Sequence, residues 1–298
     1  MQITISAFKI NEMVQPEQTP VRSREWLMGK RITPIVFGSA RYGAEKVDGV
    51  IVPTPGPHKE EVLLIREAIE QGYDFFDTAQ GYGDSELVVG QAAKGSIRDE
   101  VIIATKVGMQ PDPNVRAAIE QSVQRLGTEP DVMYVHNRWN GMLEGSMDDC
   151  LEAVDSAVDK GLAKTIGLSN FRPQELSYAL EYLRNPVRFY QAKLNLHDSR
   201  DDAARLFWQC RTNNIIFTAS SALDRGQGID DARPEVTEMA GRYAMSVAQL
   251  SILAIRAFGI YPVVMSKSPA HMAENKRALT KRIDTADVLQ LGKILFKV

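Results

Sequence analysis

The sequence is short of the features that mark special classes of protein. Cysteine occurs only twice in 298 residues. Cys150 and Cys210 have neither metal nor redox spacing, so both read as reduced packing residues and no metal site is expected. Long apolar runs are missing: "GIYPVVM" is far short of the roughly 20 residues of a membrane span. "MQITISAFKI" lacks the basic start and long apolar centre of a signal peptide, which makes the cytoplasm the expected address. An excess of positive charge is missing as well. A net charge of −3 and a pI near 5.9 give no general attraction to phosphate backbones or anionic lipid, so nucleic acid and membranes are not expected as partners. Neither a low-complexity tract nor a glycine-rich dinucleotide turn is found.

What remains is the composition of an ordinary soluble globule, 44% hydrophobic and 24% charged, which excludes a disordered or fibrous chain. This length can bury one large core, so a single domain over residues 1–298 is expected. Eight short runs rich in β-branched and aromatic residues recur: "ITPIVFG", "YDFFD", "VIIATK", "DVMYV", "KTIGL", "RFYQAKL", "IIFTAS" and "YPVVM". Between them, Val62, Ile65 and Ile69, then Ile119, Val123 and Leu126, then Leu151, Val154 and Val158 fall at helical spacing. Each gap holds a crossover helix, so parallel pairing and a closed (β/α)8 TIM barrel are expected. An open doubly wound sheet is the competitor, but it usually carries fewer strands. The Pro and Gly content of Ala44–Pro57 and of Gly226–Pro234 predicts loops. Residues 1–31 read as a lead-in, and 276–298 as a closing helical tail.

In such a barrel the C-terminal strand ends and the loops beyond them form the active face. The second strand ends in Asp77 with Tyr82 just beyond, the third in Lys106, the fourth in His136. A phenol is a poor acid at neutral pH. An ammonium about 4 Å away favours the phenolate by roughly 4 kcal/mol at an effective dielectric near 20, about three pKa units. A carboxylate would hold that lysine charged, and His136 could hydrogen-bond the oxygen that Tyr82 protonates. This set suits proton donation to a carbonyl oxygen while hydride reaches its carbon. Each residue also has a plain reading: Asp77 as a cap or turn former, Tyr82 as a buried ring, Lys106 as a solvated rim residue, His136 as a hydrogen-bonded core histidine.

From roughly Trp26 to Leu279 the sequence resembles the aldo-keto reductase superfamily. "FFDTAQGYGDSE" resembles the segment with the family's catalytic Asp and Tyr, "VIIATKVG" the one with its Lys, and "MYVHNRW" the one with its His. "VRAAIEQSVQRLGTEPDVMYVH" and "AVDSAVDKGLAKTIGLSNFRPQEL" follow the family pattern closely. The resemblance implies NADPH-dependent carbonyl reduction, with NADH as a second option, and the tetrad Asp77, Tyr82, Lys106 and His136. It also implies that Ser169, Asn170 and Gln191 hold the nicotinamide carboxamide, although Ser169 and Asn170 could equally cap the next helix. Ser266, Lys267 and Ser268 would grip a 2′-phosphate at a helix start, with His271, Glu274 and Asn275 near the adenine.

There are departures. Where the family carries a stacking aromatic within a Tyr-Ser-Pro-Leu-like motif, this chain has Ser220, with Ala222 in place of the proline and Leu223 and Gly226 beyond. Val264 and Met265 replace the usual Pro-Gly or Pro-Lys, and His271 an arginine. The segment after strand seven is too brief for a large loop over the pyrophosphate. Phe37, Arg41, Tyr42, Arg138 and Trp139 are expected around a small-molecule carbonyl substrate with an acidic or polar group. Redox-neutral lyase, dehydratase or isomerase chemistry, or a non-catalytic nucleotide-binding regulatory subunit, are the alternatives.

Overall fold

The computed structural model describes residues 25–48, 50–108, 115–137 and 147–298. Among the described residues a short antiparallel hairpin comes first, β1 (Glu25–Leu27) and β2 (Lys30–Ile32), followed by β3 (Val36–Gly38). A second ribbon, β4 (Ala44–Val47) with β5 (Val50–Pro53), precedes the helix Lys59–Glu70. Then come β6 (Phe75–Asp77), β7 (Ile102–Gly108), β8 (Val132–His136), β9 (Thr165–Ser169), β10 (Val187–Lys193), β11 (Ile216–Ser220) and β12 (Tyr261–Val264), with helices between them. Strands β3 and β6 to β12 close into a barrel in that order, every neighbouring pair parallel. The eight strand runs and the closed TIM barrel expected from the sequence are the ones observed.

Two expectations need correction. Ala44–Pro57 is not wholly loop: it carries the β4–β5 ribbon, in which Ala44 pairs with Pro53 and Val47 with Val50. Val50, Ile51 and Val52 supply β-branched side chains, and Asp48 takes the turn at φ 48°. Gly226–Pro234 contains a one-turn helix, Gln227–Asp230. At the C-terminal end the closing tail forms the helix Thr285–Phe296.

Side chains alternate across each strand, and the core splits accordingly. Val36, Phe75, Ile102, Ala104, Val132, Tyr134, Phe189 and Tyr261 fill the barrel, while Phe37, Phe76, Ile103, Met133, Val135, Ile166 and Tyr190 pack outward against the helices. Helices present matching stripes: Val62 and Ile65, Ile119 and Leu126, and Leu151 and Val154 are buried. Gly167 leaves room for the Tyr134 ring, since a Cβ there would lie 2.4 Å from the ring's Cδ1. Gly167→Ala should therefore destabilise by about 1–3 kcal/mol through overpacking, and urea unfolding checks it.

The N-terminal hairpin covers the barrel's lower end. Ile32 enters the interior cluster, and Leu27 and Met28 pack beneath it. Glu25 receives Arg256 at 2.7 Å and the Tyr261 hydroxyl. Lys30 joins a cluster around Asp131, whose carboxylate is fully buried and meets Arg98 at 2.8 Å, Lys164 at 2.8 Å and Lys30 at 3.5 Å. Asp131 also accepts from the Ile103 amide at 2.8 Å.

Candidate functional site

The last inward position of each strand lies at the opposite end, and there the apolar filling gives way to polar groups. Asp77 closes β6, His136 closes β8, Ser169 closes β9 and Ser220 closes β11; Lys106 and Gln191 face inward on β7 and β10. The register sets His136 beside Ser169, and Ser169 beside Gln191.

Lys106 is fully buried. Its ammonium donates to Asp77 Oδ2 at 2.6 Å and to the Thr78 carbonyl at 2.8 Å. It lies 5.1 Å from the centroid of the Tyr82 ring and 5.8 Å from that of Tyr134. Burial pushes its pKa down, but the Asp77 charge, then the Tyr82 oxygen and hydrogen bonds to both, outweigh burial and raise it. Lys106 is therefore an ammonium at neutral pH, beside the Tyr82 ring. Asp77 Oδ1 accepts from Gln191 Nε2 at 2.8 Å, so both of its oxygens are satisfied. The Tyr82 and His136 rings stand nearly perpendicular, at 87°, with centroids 6.3 Å apart. Both are half-buried, which leaves them open to the mouth. Deeper in the barrel, burial pushes the Tyr134 phenol far up and keeps it neutral. The structure thus brings all four tetrad candidates to one place.

The carboxamide candidates adjoin them. Ser169 is buried, and Asn170, at φ 64°, donates its backbone N–H to the Gln191 carbonyl at 2.8 Å. Neither caps the following helix: Arg172 is the N-cap of Pro173–Tyr182, and Glu175 Oε2 accepts the Arg172 amide at 2.6 Å. Ser220 ends β11, and Leu223 and Gly226 lie in the turn beyond, with Gly226 at φ 100°. Ser268 caps the helix Pro269–Arg277, accepting the His271 amide at 3.4 Å, and Ser266 Oγ accepts the Ser268 amide at 3.0 Å. Asn275 is buried, Glu274 half-buried and His271 exposed on that helix. Lys267 is held by Glu61 at 2.5 Å and lies 5.4 Å from the Tyr42 ring centroid.

The substrate-wall expectations fare worse. Phe37 is an outward residue of β3, 1% exposed and packed on Tyr42, Tyr73 and Phe76, so it faces the helices and not the barrel mouth. Tyr42 is fully buried, with its hydroxyl on the Ser266 carbonyl at 2.5 Å. Arg41 is exposed. Arg138 and Trp139 lie outside the described residues. A cleft of about 690 Å³ lies beside the Tyr82 loop, lined by residues that include Gln80, Gly81, Gly108, Ala118, Gln121 and Gln124.

Sequence reading missed the supports. Thr105 Oγ1 donates to the buried Glu86 at 2.6 Å, one residue before Lys106, and Thr218 Oγ1 accepts from Gln191 at 3.3 Å. Arg125 donates to the Gly83 carbonyl at 2.6 Å and to Asp84 at 2.9 Å. Burial pushes Asp84 up, but hydrogen bonds from Arg125 and His58 outweigh it and hold its pKa down. Glu86 stands within the motif already quoted. Arg125 carries no local signal, because its partners are some forty residues away.

Among the described residues no helix is long and apolar enough to cross a membrane. Comparison with known proteins matches residues 34–295 to the model of the aldo/keto reductase family. A Schizosaccharomyces pombe protein described as an uncharacterized oxidoreductase is 27% identical over 241 residues, 76% of this chain and 82% of its own. The thermostable aldo-keto reductase Tm1743, solved with the inhibitor epalrestat, superimposes with a TM-score of 0.79 at 24% identity, covering 91% of this chain and 99% of its own. An aldo-keto reductase from Klebsiella pneumoniae, solved with NADPH, gives 0.73 at 25% identity, covering 89% and 92%.

Proposed function

The chain belongs to the aldo/keto reductase family, and from that premise we propose that it reduces an aldehyde or ketone to an alcohol with NADPH, Tyr82 donating the proton. The observation that carries this reading is the buried Lys106 ammonium, fixed by Asp77 and 5.1 Å from the centroid of the Tyr82 ring. When bound, the nicotinamide supplies hydride to the carbonyl carbon. Its carboxamide needs one acceptor and one donor, and the Ser169 hydroxyl and the amides of Asn170 and Gln191 are a chemically fitting set beside the tetrad. Gln191 Nε2 is committed to Asp77, which leaves its carbonyl oxygen to face the ligand's NH₂.

The protein's own work is on the proton. His136 orients the carbonyl oxygen toward Tyr82. As charge develops on that oxygen, the Tyr82 hydroxyl gives up its proton, and the adjacent ammonium stabilises the phenolate left behind. Asp77 keeps the ammonium in place. Tyr82→Phe should lower kcat by about 10²–10⁴-fold with nucleotide affinity nearly unchanged; steady-state reduction of an aldehyde panel and a fluorescence titration measure the two. A wild-type protein that neither binds NADPH nor reduces any carbonyl on the panel sinks the reading.

The absent stacking ring at Ser220 gives a separate expectation. Ser220→Tyr should restore about 0.5–1.5 kcal/mol of stacking on the nicotinamide, tightening NADPH binding by up to about tenfold. The same titration, repeated on the variant, checks it.

A further inference from the structure

The turn that carries Tyr82 is held from outside the barrel. Asp84, two residues on, accepts from Arg125 on one oxygen at 2.9 Å and meets His58 Nε2 on the other at 3.1 Å. The opposite nitrogen of that imidazole, Nδ1, faces Glu61 Oε2 at 3.5 Å. A second route runs beside the first. The Gly43 amide donates to Glu61 Oε2 at 2.6 Å, and the Gly43 carbonyl accepts the Asp84 amide at 2.9 Å. Gly43 sits at φ 62°, and a Cβ there would come within 2.9 Å of Asp84, so backbone meets backbone only because this residue is glycine. The other oxygen of Glu61 is the one that holds Lys267. His58 is nearly buried, its side chain 6% exposed, and Glu61 and Asp84 are mostly covered.

We propose that Glu61, His58 and Asp84 are positioning residues that tie Lys267, at the phosphate end of the nucleotide site, to the turn carrying Tyr82, so that nucleotide binding and placement of the proton donor are coupled. This rests on the roles given to Tyr82 and Lys267 above. A phosphate that draws Lys267 away leaves Glu61 to His58 and the Gly43 amide, and the altered pull reaches Asp84 by both routes. The groups are partly solvated, so the coupling is worth a few-fold, not orders of magnitude.

The test uses the intact protein as wild type, Asp84→Asn, Lys267→Ala and the double variant, with NADPH affinity from fluorescence titration and carbonyl reduction at steady state. Asp84→Asn, though it touches no nucleotide, is expected to weaken NADPH binding about threefold and to lower kcat about fivefold, with the carbonyl KM within about twofold. In the Lys267→Ala background its effect on NADPH affinity should vanish. Glu61→Gln keeps the side chain's size and should remove the coupling in the same way; it carries the test alone if melting shows Asp84→Asn to be unfolded. Additive effects on affinity, or an unchanged kcat in folded Asp84→Asn, overturn the proposal. A wild type that binds no NADPH and reduces nothing would count against the reading of the site itself.

Discussion

Lys106→Met should both silence the protein and loosen it. The ammonium is fully buried against Asp77 at 2.6 Å, so its removal leaves a carboxylate 4% exposed with Gln191 Nε2 as its remaining side-chain donor. Breaking one partner of such a pair costs about 3–5 kcal/mol, because the surviving charge stays buried. Carbonyl reduction should fall by at least the 10²–10⁴-fold attributed to a positioned general acid, since on the proposed mechanism Tyr82 would lose the charge that stabilises its phenolate. The double variant with Asp77→Asn should recover much of the stability and none of the activity: removing both charges abolishes the burial penalty and not the need for an ammonium. Urea unfolding and single-turnover assays on the three proteins separate the effects. The sign with pH follows from Lys106's raised pKa. Its contribution is fully present below the unfolded lysine value near 10.4 and is lost as pH rises through the folded value. Wild type should therefore lose stability in strong alkali more steeply than Lys106→Met. A Lys106→Met protein as stable as wild type would show that the pair adds nothing.

Asp131→Ala should have the largest effect on stability alone. Three cations converge on this buried carboxylate, with a backbone amide as a fourth donor. Taking the carboxylate away leaves the buried Ile103 amide without its acceptor and deprives Arg98, Lys164 and Lys30 of their shared anion, at a cost of about 3–5 kcal/mol. At about 2–4 °C per kcal/mol for a chain of this size, the melting midpoint should fall by roughly 10 °C. Activity per folded molecule should not change, because the cluster lies at the end opposite Tyr82. Burial pushes Asp131 up, but hydrogen bonding from Lys164 and the charges of Arg98 and Lys30 outweigh it and lower its pKa. The stabilisation is thus present above the ordinary carboxylate value near 3.9 and is lost as pH falls through the lower folded value. The gap between wild type and Asp131→Ala should narrow in that acid window, measured by melting against pH. A gap that stays constant through it would mean the carboxylate's charge is not what holds the cluster.

These two sites were unequally legible. Asp77, Lys106 and His136 could be read because each ends or nearly ends an apolar run, where a barrel puts its working groups, and because "FFDTAQGYGDSE" is a specific string. Asp131 stood in the same kind of run, at its start, yet its three partners come from residues 30, 98 and 164 and no spacing connects them. Phe37 was misplaced by one step of strand parity: Val36 and Gly38 face the barrel, so Phe37 faces the helices. Tyr42 could not be judged without knowing that the Ser266 carbonyl lies above it. The β4–β5 ribbon was hidden because its prolines and glycines outweighed the short β-branched run and the Asp48-Gly49 turn signal. The carboxylate that holds Lys267 could not be anticipated, because Glu61 is 206 residues earlier.

The hairpin β1–β2 stoppers one end of the barrel and leaves the other to Tyr82 and its neighbours. Changes among the residues at that other end can retrain what the protein handles while the stopper and its ion cluster keep the cylinder shut. Changes to the stopper itself would register first as lost tolerance of heat, with the chemistry of each surviving molecule left as it was.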